Sequence, residues 1–361
     1  MGRNIKVIQR VRFPPFGTDS WNAAQLPISE VVSYDDSPSP GFIVGDRKGW
    51  FVERIVDSEK TYPFTGDFPS IIDKQRRGWY LIPHPIHAAA RKFITFSVAI
   101  LLMSLMYLAI TPFLENAGIP TFGTTSLRFG LLDYPLLVVI VVPLMLTPIA
   151  LRVGANLGDL IRQKSFLYNA PKSPIFELDE SKNNCPLKGK LTLPEIKEDW
   201  RKISISWRVG ILPPSREAIF KAQSRTENGQ PPPGLATPLP HYWERGLDDG
   251  TGTGEDVPMQ RTDLPGGIFL RPMRIMALGG RDNISEDGSF TLDSPDDIWP
   301  GSFYSDLIRI HWEIVVKIRR EKGGPLLWVQ PLMVQQNGSR INVTKPQITD
   351  GRSETTLHKA Q

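Results

Sequence analysis

The chain has 361 residues but only one cysteine, Cys185, and only five histidines. A lone cysteine cannot form an internal disulfide, and no pairing of cysteine with histidine suggests a zinc site. His84 and His87 stand three residues apart, yet no third ligand lies near them in the sequence. No histidine accompanies a nucleophile motif. We therefore expect no metal, no cofactor, no catalytic residue and no enzymatic activity.

The net charge is also small, and the first residues do not resemble a leader segment. The net charge is +4, which is too small and too dispersed to indicate a nucleic-acid partner. The first residues, "MGRNIKVIQRVRFPPFG", lack the apolar run of a signal peptide. If part of the chain is exported, we expect the internal apolar segments to direct it.

Two long apolar runs stand out against this background. Residues 93–114 and 134–151 carry no charged side chain, and they measure about 33 Å and 27 Å as helices. A bilayer hydrocarbon core is about 30 Å thick, so both runs predict transmembrane helices joined as a hairpin. The polar sequence that follows Leu151 is expected to extend the second helix beyond the membrane core. The lipid bilayer is therefore the first expected partner.

Basic residues flank this hairpin on one side. The linker between the two runs contains one, Arg128, whereas eight lie just outside them: Lys74, Arg76, Arg77, Arg91, Lys92, Arg152, Arg162 and Lys164. Cytoplasmic flanks of membrane helices carry such an excess, so we expect both termini to be cytoplasmic, most simply at the cell membrane. Arg76, Arg77, Arg91, Lys92 and Arg152 are the candidates for contact with the membrane surface.

The rest of the chain predicts strands. In "SDLIRIHWEIVVKIRR", residues 305–320, apolar side chains alternate with polar ones. This period of two predicts a strand with Trp312 facing a core and Glu313 and His311 facing water. Similar segments, separated by turn residues, occur from Lys188 to Lys345, with Trp207 as a second core anchor. They predict an all-β antiparallel sandwich.

The order of these segments resembles the arrestin-like β-sandwich domain of uncharacterised prokaryotic membrane proteins that have two spans. The resemblance covers residues 187–335 through "LKGKLTLP", "ISISWRVGI", "DGSFTLDSPDDIWPG" and "DLIRIHWEIVVKI". It departs from the family pattern at Asp293 and Ser294, where an apolar residue and proline are usual. The resemblance implies a scaffold that binds partners through its edges and loops.

Four regions follow from these patterns. Residues 1–90 form an N-terminal cytoplasmic segment that contains strands, including a pair around the turn "GDRKG", and that packs on the membrane or on the later domain. Residues 91–164 form the transmembrane hairpin. Residues 181–345 form the sandwich, with a long insertion at 213–266, and residues 346–361 form a polar tail. The insertion is either a disordered segment or a partner-binding arm, in which case Tyr242, Trp243 and Arg245 are the candidate contacts.

These features favour a membrane-anchored scaffold or adaptor that presents a cytoplasmic β-sandwich to a protein or to lipid headgroups. The alternative is an accessory subunit of a larger membrane transport or secretion complex. Either function requires a protein or lipid partner.

Overall fold

The computed structural model describes residues 5–12, 28–33, 41–45, 51–56, 76–82, 86–212, 266–267, 273, 276–285, 287–305, 307–322, 324–337 and 340–344. These residues form two compact units, one of 83–168 and the other of 1–82 with 169–361. We refer to them as the helical unit and the β unit. The chain enters the helical unit from the β unit and then returns to it.

The helical unit contains α1 (Ile86–Asn116) and α2 (Leu136–Tyr168), which pack against each other. Both are long and apolar enough to cross a membrane, by length and composition. Large apolar side chains are exposed along them, including Phe96, Leu102, Phe113, Ile140, Leu146 and Ile149. The two predicted apolar helices are confirmed, and the expected extension of the second reaches Tyr168.

Two short strands, β6 (Ser126–Phe129) and β7 (Leu132–Pro135), form an antiparallel hairpin between the helices. Its two-residue turn begins with Gly130, whose φ of 65° lies in the left-handed region that glycine adopts without strain. No structure was assigned to this linker from the sequence, so the ordered hairpin is an addition to the prediction.

The β unit contains the remaining described strands, which are β1 (Ile5–Arg12), β2 (Ile28–Ser33), β3 (Phe42–Gly45), β4 (Phe51–Val56), β5 (Gly78–Leu81), β8 (Ile175–Leu178), β9 (Leu187–Thr192), β10 (Trp200–Leu212), β11 (Gly266–Gly267), β12 (Met276–Asn283), β13 (Ser289–Leu292), β14 (Phe303–Tyr304), β15 (Arg309–Arg320), β16 (Leu326–Leu332) and β17 (Ile341–Val343). The predicted strand pair around "GDRKG" is confirmed as β3 and β4, which are antiparallel.

These strands form sheets of seven, five and three members. The seven-stranded sheet has the order β11-β5-β16-β15-β10-β12, with β14 beside β15. The five-stranded sheet has the order β17-β3-β4-β1-β2, and the three-stranded sheet has the order β13-β9-β8. Most described pairs are antiparallel, as predicted, but β11 with β5 and β17 with β3 are parallel.

The N-terminal segment belongs to the same unit as the C-terminal strands. Strand β5 pairs with β16, and β17 pairs with β3, so each of these two sheets contains strands from both ends of the chain. Phe42 of β3 also packs edge-on against Phe303 of β14, with ring centroids 5.7 Å apart. These contacts show the segment packed against the later strands, which is one of the two positions that were expected.

Tryptophans form the centre of the apolar core. Trp207 of β10 and Trp312 of β15 are fully buried, with ring centroids 4.9 Å apart. Each indole N–H donates to a backbone carbonyl, Trp207 to Asp293 at 2.6 Å and Trp312 to Pro300 at 2.8 Å. A Cβ at Gly279 would collide with the Trp207 ring, so glycine is needed there for β12 to approach. The prediction that both tryptophans are core residues is confirmed.

We expect Trp312→Ala to lower the free energy of unfolding by about 3–5 kcal/mol, because it leaves a large cavity and an unpaired Pro300 carbonyl. Arg319→Ala, on the exposed end of the same strand, should cost less than about 0.5 kcal/mol. Urea unfolding of the full chain in detergent micelles would measure both. Equal losses would contradict the assigned packing of β15.

Candidate functional site

The densest group of polar side chains in the described residues lies on the face of β10 and β15 opposite the tryptophans. Arg208 and Glu313 are register partners on these neighbouring strands, so their side chains point to the same face. Arg208 Nε donates to Glu313 Oε1 at 2.7 Å, and Arg208 Nη2 lies 2.6 Å from the same oxygen. The pair is buried, with 1% and 0% of the side chains exposed.

A second arginine reaches the same carboxylate from the N-terminal part of the chain. Arg76, immediately before β5, donates from Nε to Glu313 Oε2 at 2.7 Å and from Nη2 to Oε1 at 3.0 Å. This is a bidentate contact, in which the planar guanidinium matches the carboxylate geometry. The Tyr80 hydroxyl donates to the Arg76 carbonyl at 2.9 Å and holds the backbone there.

His311 extends the group along β15. It lies two residues before Glu313 and therefore on the same face, and its Nε2 is 3.0 Å from Glu313 Oε2. Its Nδ1 is 2.7 Å from the hydroxyl of Tyr304 on β14. We call Arg76, Arg208, Tyr304, His311 and Glu313 the buried ionic cluster.

Burial and charge act in opposite directions on these groups. Burial alone would raise the pKa of Glu313, but Arg76 and Arg208 outweigh it and hold that pKa well below its usual value. Burial lowers the pKa of His311 despite the contact with Glu313, so the imidazole is neutral at pH 7. Burial, followed by the charge of Glu313, raises the pKa of Tyr304, which keeps its hydroxyl protonated.

The cluster corrects two predictions. Glu313 and His311 were expected on a water-facing surface, but both are 0% exposed, because side chains from the segment before β5, from β10 and from β14 cover this face of β15. Arg76 was expected at the membrane surface, but its side chain is 2% exposed and bound to Glu313. A guanidinium in this position cannot reach lipid headgroups.

The structure describes the side chains of only two of the other predicted contacts, Arg77 and Arg152. Arg77 is exposed and Arg152 is half-buried on α2, whereas the side chains of Arg91 and Lys92 lie outside the described residues. Tyr242, Trp243 and Arg245 also lie outside the described residues, so their role stays a prediction. Among the described residues, no group of three or more His, Cys, Asp or Glu side chains could hold a metal ion.

The geometry of the ionic cluster supports a structural role. A catalytic acid or base must reach a substrate, yet the carboxylate and the imidazole are both sealed from solvent. What the cluster can do is fix the positions of the strands that supply it. Sequence reasoning missed it, although one signal was present: Arg208 and Glu313 each follow directly after a core tryptophan in an apolar strand.

We expect Glu313→Gln to lower the free energy of unfolding by about 3–5 kcal/mol, because it leaves two buried guanidinium groups without their shared carboxylate. The exposed pair of Arg201 and Glu321 provides a control, and Glu321→Gln should cost less than about 1 kcal/mol. Urea unfolding of the full chain at pH 7 would measure both. A small effect of Glu313→Gln would show that the cluster is not essential to the fold.

His311 should make the stability depend on pH. Its pKa is lowered from 6.5 in the folded state, so below pH 6.5 the unfolded chain binds a proton that the folded chain does not. The contribution of His311 to the free energy of unfolding is therefore complete above pH 6.5. It is lost as the pH falls below this value, by at most about 1.4 kcal/mol per pH unit. Glu313 does not lower the stability between pH 7.5 and pH 5.5. Its pKa is about 4.5 in the unfolded chain and is lower still in the folded protein.

His311→Gln should make the unfolding free energies at pH 7.5 and pH 5.5 more nearly equal than they are in the unchanged protein. The measurement is a pair of urea titrations at these two pH values for each protein. An unchanged difference in the variant would mean that His311 is not the group responsible.

Comparison with models of known protein families and with curated proteins finds no match for this chain, so the role of the cluster rests on its own geometry.

Proposed function

We propose that the protein is a membrane-anchored scaffold, in which the helical unit spans the bilayer and the β unit presents a binding surface to a protein partner in the cytoplasm. The observation that carries this proposal is the surface of α1 and α2. Apolar side chains such as Leu102, Leu146 and Ile149 are 58–61% exposed there. Lipid is the environment that stabilises such a surface.

The β unit supports a binding role more than a catalytic one. Its densest group of ionisable side chains, which includes Glu313 and His311, is enclosed in the core. The remaining part of the proposal rests on the sequence. The excess of basic residues around the hairpin favours cytoplasmic termini, and the resemblance to arrestin-like domains favours recognition of a partner through edges and loops.

Thiol labelling tests the orientation. In a Cys185→Ser background, Asn116→Cys places an exposed thiol at the end of α1, and Lys322→Cys places one in an exposed turn of the β unit. We expect a membrane-impermeant maleimide to label position 116 on intact cells and position 322 only after permeabilisation. Labelling of position 322 on intact cells would reverse the orientation.

Native purification in mild detergent tests the binding role. We expect a protein partner to co-purify with the full chain and to be lost from the Tyr242→Ala/Trp243→Ala variant, because large aromatic side chains supply much of the binding energy at interfaces. Ile196→Ala changes a side chain that is 69% exposed in the β unit and should leave binding intact. Retention of the partner by the double variant would exclude the predicted arm as the docking element.

The same purification separates the scaffold from the alternative subunit role. A partner with membrane spans of its own, present in equal amounts and held when the β unit is proteolysed away, would favour a subunit of a larger membrane complex.

A further inference from the structure

The hairpin of β6 and β7 has one apolar face and one polar face. In its register, Leu127 lies opposite Tyr134 and Arg128 lies opposite Asp133. Adjacent pairs in an antiparallel ribbon point to opposite faces, so Leu127, Leu132 and Tyr134 share one face while Arg128 and Asp133 share the other. The apolar side chains are exposed, Leu127 by 43% and Leu132 by 60%.

The tip of the hairpin is also apolar. Leu131 occupies the turn and is 94% exposed, and Phe122, in the segment that leads to β6, is 76% exposed. A two-stranded ribbon in water gains nothing from displaying these side chains, since the hydrophobic effect favours covering them. The pattern is that of an element with one side in an apolar medium and the other in water.

Hydrogen bonds place the base of the hairpin beside the last turns of α1. The linker folds back after Asn116, so that the Phe122 N–H donates to the Tyr107 hydroxyl at 2.7 Å and the Thr121 hydroxyl donates to Glu115 Oε1 at 2.9 Å. Phe122 therefore lies between the levels of Tyr107 and Glu115, roughly one to two turns, or about 5–10 Å, back from the end of α1.

The first turn of α2 begins at the same level. Its Leu136 and Leu137 N–H groups donate to the carbonyls of Thr125 and Gly123, each at 3.0 Å. These linker carbonyls satisfy donors that the helix itself leaves free. Helix α1 consequently extends past the start of α2, and the base of the hairpin lies at the level where α2 begins.

This level coincides with exposed apolar surface on α1, where Ile110 is 43% and Phe113 is 74% exposed. The strands of the hairpin are four residues long and reach about 13 Å from their base. Even if the hairpin points directly away from α2, its tip therefore ends only about 3–8 Å beyond α1. The headgroup layer on each side of a bilayer is about 5–8 Å thick, so the hairpin stays within the interface.

We infer that this hairpin is a second membrane-contacting element, whose apolar face and Leu131 tip insert into the interfacial layer of the bilayer that α1 and α2 span. Arg128 and Asp133, on the opposite face, remain among the headgroups and water. The inference rests on the proposed membrane anchoring. On this inference, the linker is an amphipathic ribbon that anchors its end of the helical unit, rather than a simple connecting loop.

The test uses the full chain with Cys185→Ser, purified and reconstituted in phosphatidylcholine vesicles. An environment-sensitive fluorophore is attached to one cysteine at a time. Leu131→Cys reports on the tip and Arg128→Cys on the opposite face of the same ribbon, which makes it the matched control. Leu146→Cys, on an exposed part of α2, reports on the spanning region. Quenchers are aqueous iodide and lipids that carry a nitroxide near the headgroup or deep in the acyl chain.

We expect the label at 131 to lose fluorescence mainly to the nitroxide near the headgroup and to be shielded from iodide. The label at 128 should be quenched by iodide, and the label at 146 should be quenched mainly by the deep nitroxide. If 131 is quenched by iodide as strongly as 128 while 146 remains shielded, the hairpin lies in water and the inference is wrong, although the anchoring stands.

Two further outcomes would also overturn the inference. If 146 is quenched by iodide and not by lipid, the helical unit does not span the bilayer, and the proposed function fails together with the hairpin. If 131 is shielded from iodide and from both lipids while 146 responds to lipid, protein rather than lipid covers the tip.

Discussion

The β unit depends on a single carboxylate. Glu313 accepts hydrogen bonds from Arg76 and Arg208 in the interior, so residues 76, 208 and 313 must meet at one point. Removing two guanidinium groups and a carboxylate from water is costly, and the charges are stabilised only when the geometry of the cluster is complete. This requirement fixes the position of the segment that leads into β5, although it lies 237 residues from Glu313 in the sequence.

The same carboxylate restricts how β10 and β15 can pair. Arg208 opposes Glu313, while Trp207 and Trp312 lie on the other face of the sheet. A slip of one residue in β15 would turn Glu313 toward the tryptophans and Trp312 toward the arginines. Both changes are strongly unfavourable. The first buries the Glu313 carboxylate without a partner, and the second leaves the two arginine side chains without theirs. The cluster therefore specifies a register that apolar alternation alone would define less sharply.

The sequence predicts those features of this fold that local patterns determine. Period-two alternation identifies β10 and β15, and uninterrupted apolar runs identify α1 and α2. It does not show that the polar face of β15 is buried, because the covering residues Arg76 and Tyr304 come from other parts of the chain. Strand β5 has only four residues, which are too few for an alternation of apolar and polar side chains to be recognised. Its place in the sheet follows from its pairing with β16.

The hairpin in the helical unit escapes prediction for a related reason. Strands β6 and β7 have four residues each, and their alternation of Leu127 with Arg128 and of Leu132 with Asp133 is too short to stand out. The hairpin is interpreted from its position, because the Phe122–Tyr107 hydrogen bond brings the segment before β6 back beside exposed apolar turns of α1. In the β unit, buried charges are balanced by partners within the protein. In the helical unit, apolar side chains are exposed. Under the proposed anchoring, lipid would cover them and the ribbon would continue that surface to the interface.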